Sequence, residues 1–288
     1  MVSAALQGQG IRLRAADLLA LREGVPRDAR HRPATRRPGA LPAKPAGAGM
    51  DLREIRAFAE GDDARRIDPA ATARTGSPHV RTFHEDRDDT VLLVADFRGP
   101  MLWGTGSRLR SVAAAHVLAR RGWQAVARGA TVGALAVGAR GITALPGAAG
   151  APHMSRLCHL LALWHDEALE AASEARAAEG PGGDGGLTEA LVRAARLAPS
   201  GGEVMIATGP DGVAPVDEPA LARLARRRRV RLVLPLDPIE TAPPPAPLPV
   251  RAGALARLAR LCPLETAPLA ARLRALNVTL EVLSDDSV

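Results

Sequence analysis

Short, largely apolar runs set between stretches of helical length constrain this chain more than any other feature. The runs are Thr90–Ala95 (TVLLVA), Thr131–Val137, Glu203–Ala207 (EVMIA), Val230–Leu236 and Val278–Leu283. Between them, Ser107–Arg128, Ser155–Ala178, Leu187–Leu197, Glu218–Arg229 and Thr266–Leu276 have helical length and composition. Strands that are apolar on both sides must be covered on both sides, and strands separated by helices run parallel. The expected fold is therefore α/β: a doubly wound, mostly parallel sheet with helices on both faces. Ligands of such sheets bind beyond the carboxyl ends of strands, so Asp96, which closes the TVLLVA run, marks the first place to look.

Upstream the pattern is weaker. Residues 8–23 suggest a short strand and then a helical turn, and residues 25–50 are rich in Pro, Arg, Gly and Ala with no apolar period. We read the second stretch as an extended arm. Asp51–Glu60 reads as helix, a polar run follows over 61–68, and Val80–His84 reads as a strand. The expected organisation is an N-terminal segment and flexible arm at 1–50, a second segment at 51–88 packed on the main domain, and the main domain at 89–288.

Aromatic residues make up only 2% of the 288 residues and there is no Tyr, so the core must be built from Ala, Leu and Val. The same scarcity argues against proteins that stack bases on aromatic platforms. The net charge is +7, and Lys44 is the only lysine. An Arg-rich surface for nucleic acid or an acidic partner is one reading of that charge. Because the arginines are scattered among 31 acids, we prefer the reading that a GC-rich coding sequence enriches Ala, Gly, Pro and Arg together. Cys158 and Cys262 are the only cysteines, too few for a disulfide or zinc scaffold, and they fit a reducing, cytoplasmic setting. Neither a secretory leader nor an apolar stretch of membrane-spanning length is apparent.

Tests for reaction chemistry come out negative. A phosphate-binding loop of the GxxxxGK[ST] type cannot use the one lysine, in Ala43-Lys44-Pro45, and neither HExxH nor GxSxG occurs. Gly104-Thr105-Gly106 is too short and too far past Asp96 to be a dinucleotide fingerprint. His153, His159 and His165 recur every six residues, a step that points successive rings apart around a continuous helix. Arg226–Arg229 could touch phosphates, or could complement the negative end of a helix, which we prefer. Asp62, Asp63 and Asp68 lie among Arg65, Arg66 and Arg74, and ion-paired carboxylates are poor proton carriers at neutral pH. The chain is expected not to be an enzyme and to need no cofactor.

Two segments together resemble a known family. One is Arg56-Ala57-Phe58-Ala59-Glu60-Gly61-Asp62-Asp63-Ala64-Arg65-Arg66-Ile67-Asp68, continuing through Arg74 and to Arg81-Thr82-Phe83-His84-Glu85-Asp86-Arg87; the other is Val91–Asp96 with Gly99 and Met101. They are similar to the bacterial family called domain of unknown function 58, which Asp237-Pro238-Ile239-Glu240 also resembles. The signature carried by Arg56, Gly61, Asp62, Asp63, Arg65, Ile67, Asp68 and Arg74 is expected to be structural. The resemblance implies a von Willebrand factor A-like, Rossmann-like domain and association with a MoxR-type AAA+ ATPase. It also implies a place for a metal-ion-dependent adhesion site, which this chain departs from. Arg98 and Pro100 stand where D-x-S-x-S would place serines, Gly185 aligns with the expected threonine, and Thr208 with the expected second aspartate. Pro69 replaces the family tryptophan. The expectation is a protein-binding adaptor with a degenerate, metal-free site formed by Asp96, Arg98, Gly99, Met101 and Thr208. Arg98 either holds a carboxylate or points into solvent. The alternative function is association with nucleic acid through an Arg-rich arm at 22–37 and the Arg226–Arg229 run.

Overall fold

The structure, a computed structural model, describes residues 10–25, 52–83, 89–177, 187–252 and 255–283. It divides into two compact units, Arg32–Asp88 on one hand and Met1–His31 with Asp89–Val288 on the other. Residues 10–13 form a turn instead of the expected strand, and Ala15–Ala20 form helix α1. Leu13 and Leu18 are buried in the core of the larger unit, where the Trp123 indole N–H donates to the Leu18 carbonyl at 2.9 Å. Residues 26–50, almost all of the expected arm, lie outside the described residues.

In the smaller unit the stretch read as helix is a strand. β1 (Leu52–Ala57) pairs antiparallel with β2 (His79–Phe83), with a bulge between Leu52 and Glu54. Pairing across the hairpin overrides the helical reading of the isolated segment. The polar run between the strands is spelled out by local hydrogen bonds. Asp62 accepts a two-pronged contact from Arg56, at 2.8 and 2.7 Å, and the Ala59 N–H at 2.8 Å. Gly61 takes φ +97°, a left-handed conformation that suits glycine. Asp63 caps the single 3-10 turn Ala64–Arg66. Ile67 bridges to Val80, and Asp68 caps helix α2 (Pro69–Thr75) through the Ala71 N–H at 2.8 Å. Pro69 occupies the first turn of α2, where its missing N–H is harmless, and Arg74 sits in the last turn, near the negative end. Asp68 also takes Arg81 Nε at 2.6 Å. Asp62 thus pairs with Arg56 and Asp68 with Arg81, both on the flanking strands. These contacts hold both carboxyls below the usual range: for Asp62 chiefly the Arg56 hydrogen bonds, for Asp68 chiefly the Ala71 N–H.

The larger unit is built on β3 (Thr90–Asp96), every residue of which is buried. After helix α3 (Arg110–Ala127), β4 (Thr131–Gly138) lies parallel to β3, and β5 (Gly141–Ala149) turns back antiparallel as the edge. β5 was not foreseen; its Gly-rich run GITALPGAA lacks an apolar period, and Gly141 at φ +116° makes the turn. The long helix α4 (Ala151–Ala177) and then α5 (Thr188–Leu197) return the chain to the other side of β3, where β6 (Glu203–Ala207) pairs parallel with it. Helix α6 (Glu218–Ala225) leads to β7 (Arg229–Pro235). The Pro-rich stretch then holds the short helix α7 (Pro238–Thr241) and a separate hairpin of β8 (Leu248–Ala252) and β9 (Leu255–Ala259). Helix α8 (Ala267–Ala275) and β10 (Val278–Leu283) complete the sheet, in the order β10-β7-β6-β3-β4-β5. One core joins α1, α3 and α4 to one face, and a second joins α5, α6 and α8 to the other. The expected α/β sheet, mostly parallel and flanked by helices, is the one observed. Its winding reverses between β3 and β6, a geometry that leaves a crevice outside their carboxyl ends.

Candidate functional site

β3 delivers Asp96 to that crevice and β6 delivers Thr208. Asp96 is 1% exposed, and its carboxylate is saturated. Oδ1 accepts the Arg98 backbone N–H at 3.0 Å and Arg98 Nε at 2.9 Å; Oδ2 accepts Arg98 Nη2 at 2.7 Å and the Thr208 hydroxyl at 2.6 Å. Arg98 Nη2 also donates to the Gly212 carbonyl at 2.8 Å. The guanidinium therefore forks onto the carboxylate and ties the loop after β6 to the end of β3. Gly212 is demanded by close approach, since a Cβ there would lie 1.7 Å from the Thr208 hydroxyl oxygen.

This donor set does not fit a divalent cation. A carboxylate offers about four acceptor positions, and all four are taken by N–H and O–H donors. Magnesium wants near-octahedral oxygens, and the Gly212 carbonyl already accepts from the same guanidinium. Nor do three His, Cys, Asp or Glu side chains gather anywhere among the described residues.

A second tie secures the same rim. Asp237, at the end of β7, takes the Thr105 N–H at 2.6 Å, the Thr105 hydroxyl, and the Ile239 N–H at 3.0 Å. Burial pushes its carboxyl up, but the Thr105 and backbone hydrogen bonds outweigh this and leave it below the usual range. Glu240 accepts the Asp237 N–H and pairs with Arg110, whose guanidinium lies 4.4 Å over the ring of Trp103. The D-P-I-E element is thus a clamp between β7 and the loop that leads into α3. Trp103 itself is 41% exposed, whereas Trp123 and Trp164 are buried. Between the start of α5 and the turn before α6, Asp217 accepts the Thr188 hydroxyl at 2.5 Å and the Ala214 N–H at 2.9 Å.

Of the residues expected to form a binding surface, the structure brings Asp96, Arg98 and Thr208 together and buries them along with Met101. Only Gly99 is exposed. Their side chains form the floor of the rim and not its outer surface, because strand ends and the first loop turn sit under the loops that cover them. Gly185 lies outside the described residues. Sequence reasoning missed Gly212, Thr188, Asp217 and Trp103. The rarity of aromatics was the signal that could have drawn attention to Trp103.

Two other groups singled out in the sequence find structural partners. His165 is buried with Nε2 2.8 Å from the Ser111 hydroxyl and Phe97 edge-on at 5.2 Å; His153 Nε2 lies 2.9 Å from the Val132 carbonyl, and His159 is exposed, all three on one continuous α4. Arg228 donates to the Ala198 and Ala195 carbonyls at 2.8 and 2.6 Å, so it caps α5 and not the helix it follows.

The site is thus a buried, guanidinium-paired carboxylate at the switch point of a mostly parallel α/β sheet, with the Trp103–Arg110 pair beside it. The chain belongs to the family described as protein of unknown function DUF58, whose model matches residues 54–244. It is similar to uncharacterized proteins of Mycobacterium bovis and Mycobacterium tuberculosis, each 34% identical over 119 residues, 40% of this chain. That alignment spans 37% of those relatives' length. It is also similar to the crystal structure of conserved hypothetical protein BatB from Bacteroides thetaiotaomicron, with TM-score 0.42 and 15% identity over 68% of this chain and 92% of that one. An aerotolerance-related membrane protein from Bacteroides fragilis gives TM-score 0.43 and 12% identity over 69% and 92%. Superpositions this loose assign no activity.

Proposed function

We propose that this chain is a non-enzymatic, metal-independent protein-interaction adaptor of von Willebrand A-like fold, whose contact face is the rim above Asp96, Arg98 and Thr208. The observation that supports the reading is the Arg98 fork on Asp96, a fixed positive group paired with the carboxylate at the strand end. Numbered within the sheet, the strand order is 3-2-1-4-5-6 with strand 3 antiparallel, a Rossmann-like order that supports the fold assignment. Trp103, exposed yet steadied by Arg110, supplies the aromatic and arginine chemistry that anchors protein interfaces. The partner proposed from the family resemblance is a MoxR-type AAA+ ATPase, with a role in assembly or maturation of other proteins. A cytoplasmic setting is proposed with it; no described helix is long and apolar enough to cross a membrane.

The test is the affinity of the full chain for a purified MoxR-type ATPase of the same bacterium, measured in magnesium and in EDTA without nucleotide. Equal affinity in both, weakened about tenfold or more by Trp103→Ala, is expected of an anchor at an interface centre. Absence of binding, or binding that requires the metal, contradicts the proposal.

A further inference from the structure

The opposite, amino edge of the sheet carries a second charged surface, independent of the rim. Parallel strands begin there, and the helices that precede them end there. α5, α6 and α8 converge at this edge: Arg228 reaches from the start of β7 to the last carbonyls of α5, and the Asn277 amide donates to the Ala225 carbonyl at the end of α6. The Gly201 N–H meets the Arg227 carbonyl at 2.7 Å, and Arg229 pairs in register with Glu203. Arg196, Arg226, Arg227, Arg229 and Arg274 are all exposed along these ends.

Cations at helix C-termini are ordinary, since they complement the dipole. Here that work is already done by Arg228 and Asn277, through direct hydrogen bonds to carbonyls. The five exposed guanidiniums make no ion pair among the described residues, although ten other arginines, including Arg121, Arg128 and Arg231 nearby, do. Crowding of positive charge is felt locally: Arg228 is held below the usual arginine range, by burial first and then by Arg227.

We infer that the amino edge formed by the ends of α5, α6 and α8 is a docking surface for an acidic polypeptide segment, a short run of Asp and Glu. Planar guanidinium forks match carboxylates. A nucleic acid fits less well, because these helix ends and strand starts hold no aromatic ring for stacking, and duplex binders grip a longer line of phosphates.

The experiment is fluorescence anisotropy of a labelled octaglutamate peptide and, separately, of a short DNA duplex, titrated with the full chain at fixed salt. Arg226→Glu with Arg227→Glu is compared with Arg257→Glu plus Arg260→Glu, exposed arginines of the β9 region that change net charge equally. The expected result is octaglutamate binding weakened about tenfold by the first pair and less than about twofold by the second. Equal losses from the two pairs would reduce the effect to net charge and overturn the inference. So would a duplex bound more tightly than octaglutamate, or no octaglutamate binding at all. If the first pair unfolds the chain by circular dichroism, Arg226→Gln with Arg227→Gln against Arg257→Gln with Arg260→Gln gives the same comparison at equal net charge.

Discussion

Arg98 brings a full charge to a position only 8% exposed, and it is tolerated there because Asp96 and the Gly212 carbonyl receive it. Removing one member of a buried pair strands the other, at a cost of about 3–5 kcal/mol. Arg98→Ala should therefore lower the melting temperature strongly, while Asp96→Asn combined with Arg98→Met should recover most of the loss. Calorimetric melts of the two variants and wild type check this; equal melting of Arg98→Ala and wild type would show that the fork is not a structural lock. His165 yields a pH prediction. Burial first, and the Arg12 charge second, push its imidazole down to about 4. The unfolded chain, at the ordinary histidine value, binds this proton first as pH falls, so stability is full above about pH 6.5 and is lost as pH drops toward 4. His165 alone should cost about 2 kcal/mol between pH 7 and pH 5. Urea midpoints at the two pH values should converge in His165→Gln relative to wild type, and an unchanged gap would remove His165 as the cause.

Among elements, the buried strands were legible because they are apolar on both sides, and the sheet's middle tolerates nothing else. β1, β5 and the β8–β9 hairpin were not, since each depends on pairing with a partner strand and carries no pattern of its own. The site was half legible for a related reason. Asp96 announced itself by ending a strand, but the Thr208 hydroxyl that it accepts lies 112 residues away, and the Gly212 carbonyl that Arg98 reaches lies 114 residues from Arg98. No local spacing could reveal Thr188 beside Asp217, or Asp237 beside Thr105. Arg228 gives the prediction that belongs here. Arg228→Ala should uncap α5 and cost about 1 kcal/mol, reduced from the full value of a charged hydrogen bond by solvent. Hydrogen exchange at the end of α5 should quicken; unchanged protection there would mean the cap contributes nothing.

At the scale of the whole molecule, the larger unit presents two edges of opposite construction. The carboxyl edge is bound together by ion pairs whose charges are spent internally, Arg98 on Asp96 and Arg110 on Glu240. At the amino edge Arg196, Arg226, Arg227, Arg229 and Arg274 are exposed. The smaller unit spends its signature carboxylates on caps and on Arg56 and Arg81, so Asp68→Ala should lower its thermal stability, with no change expected if the run were merely solvated. The central claim is that Arg98 replaces a metal at the carboxyl edge. Isothermal titration of the full chain with magnesium and with manganese tests it most directly. The account predicts no saturable heat with either ion; saturable binding in the micromolar range that disappears in Asp96→Asn would contradict it.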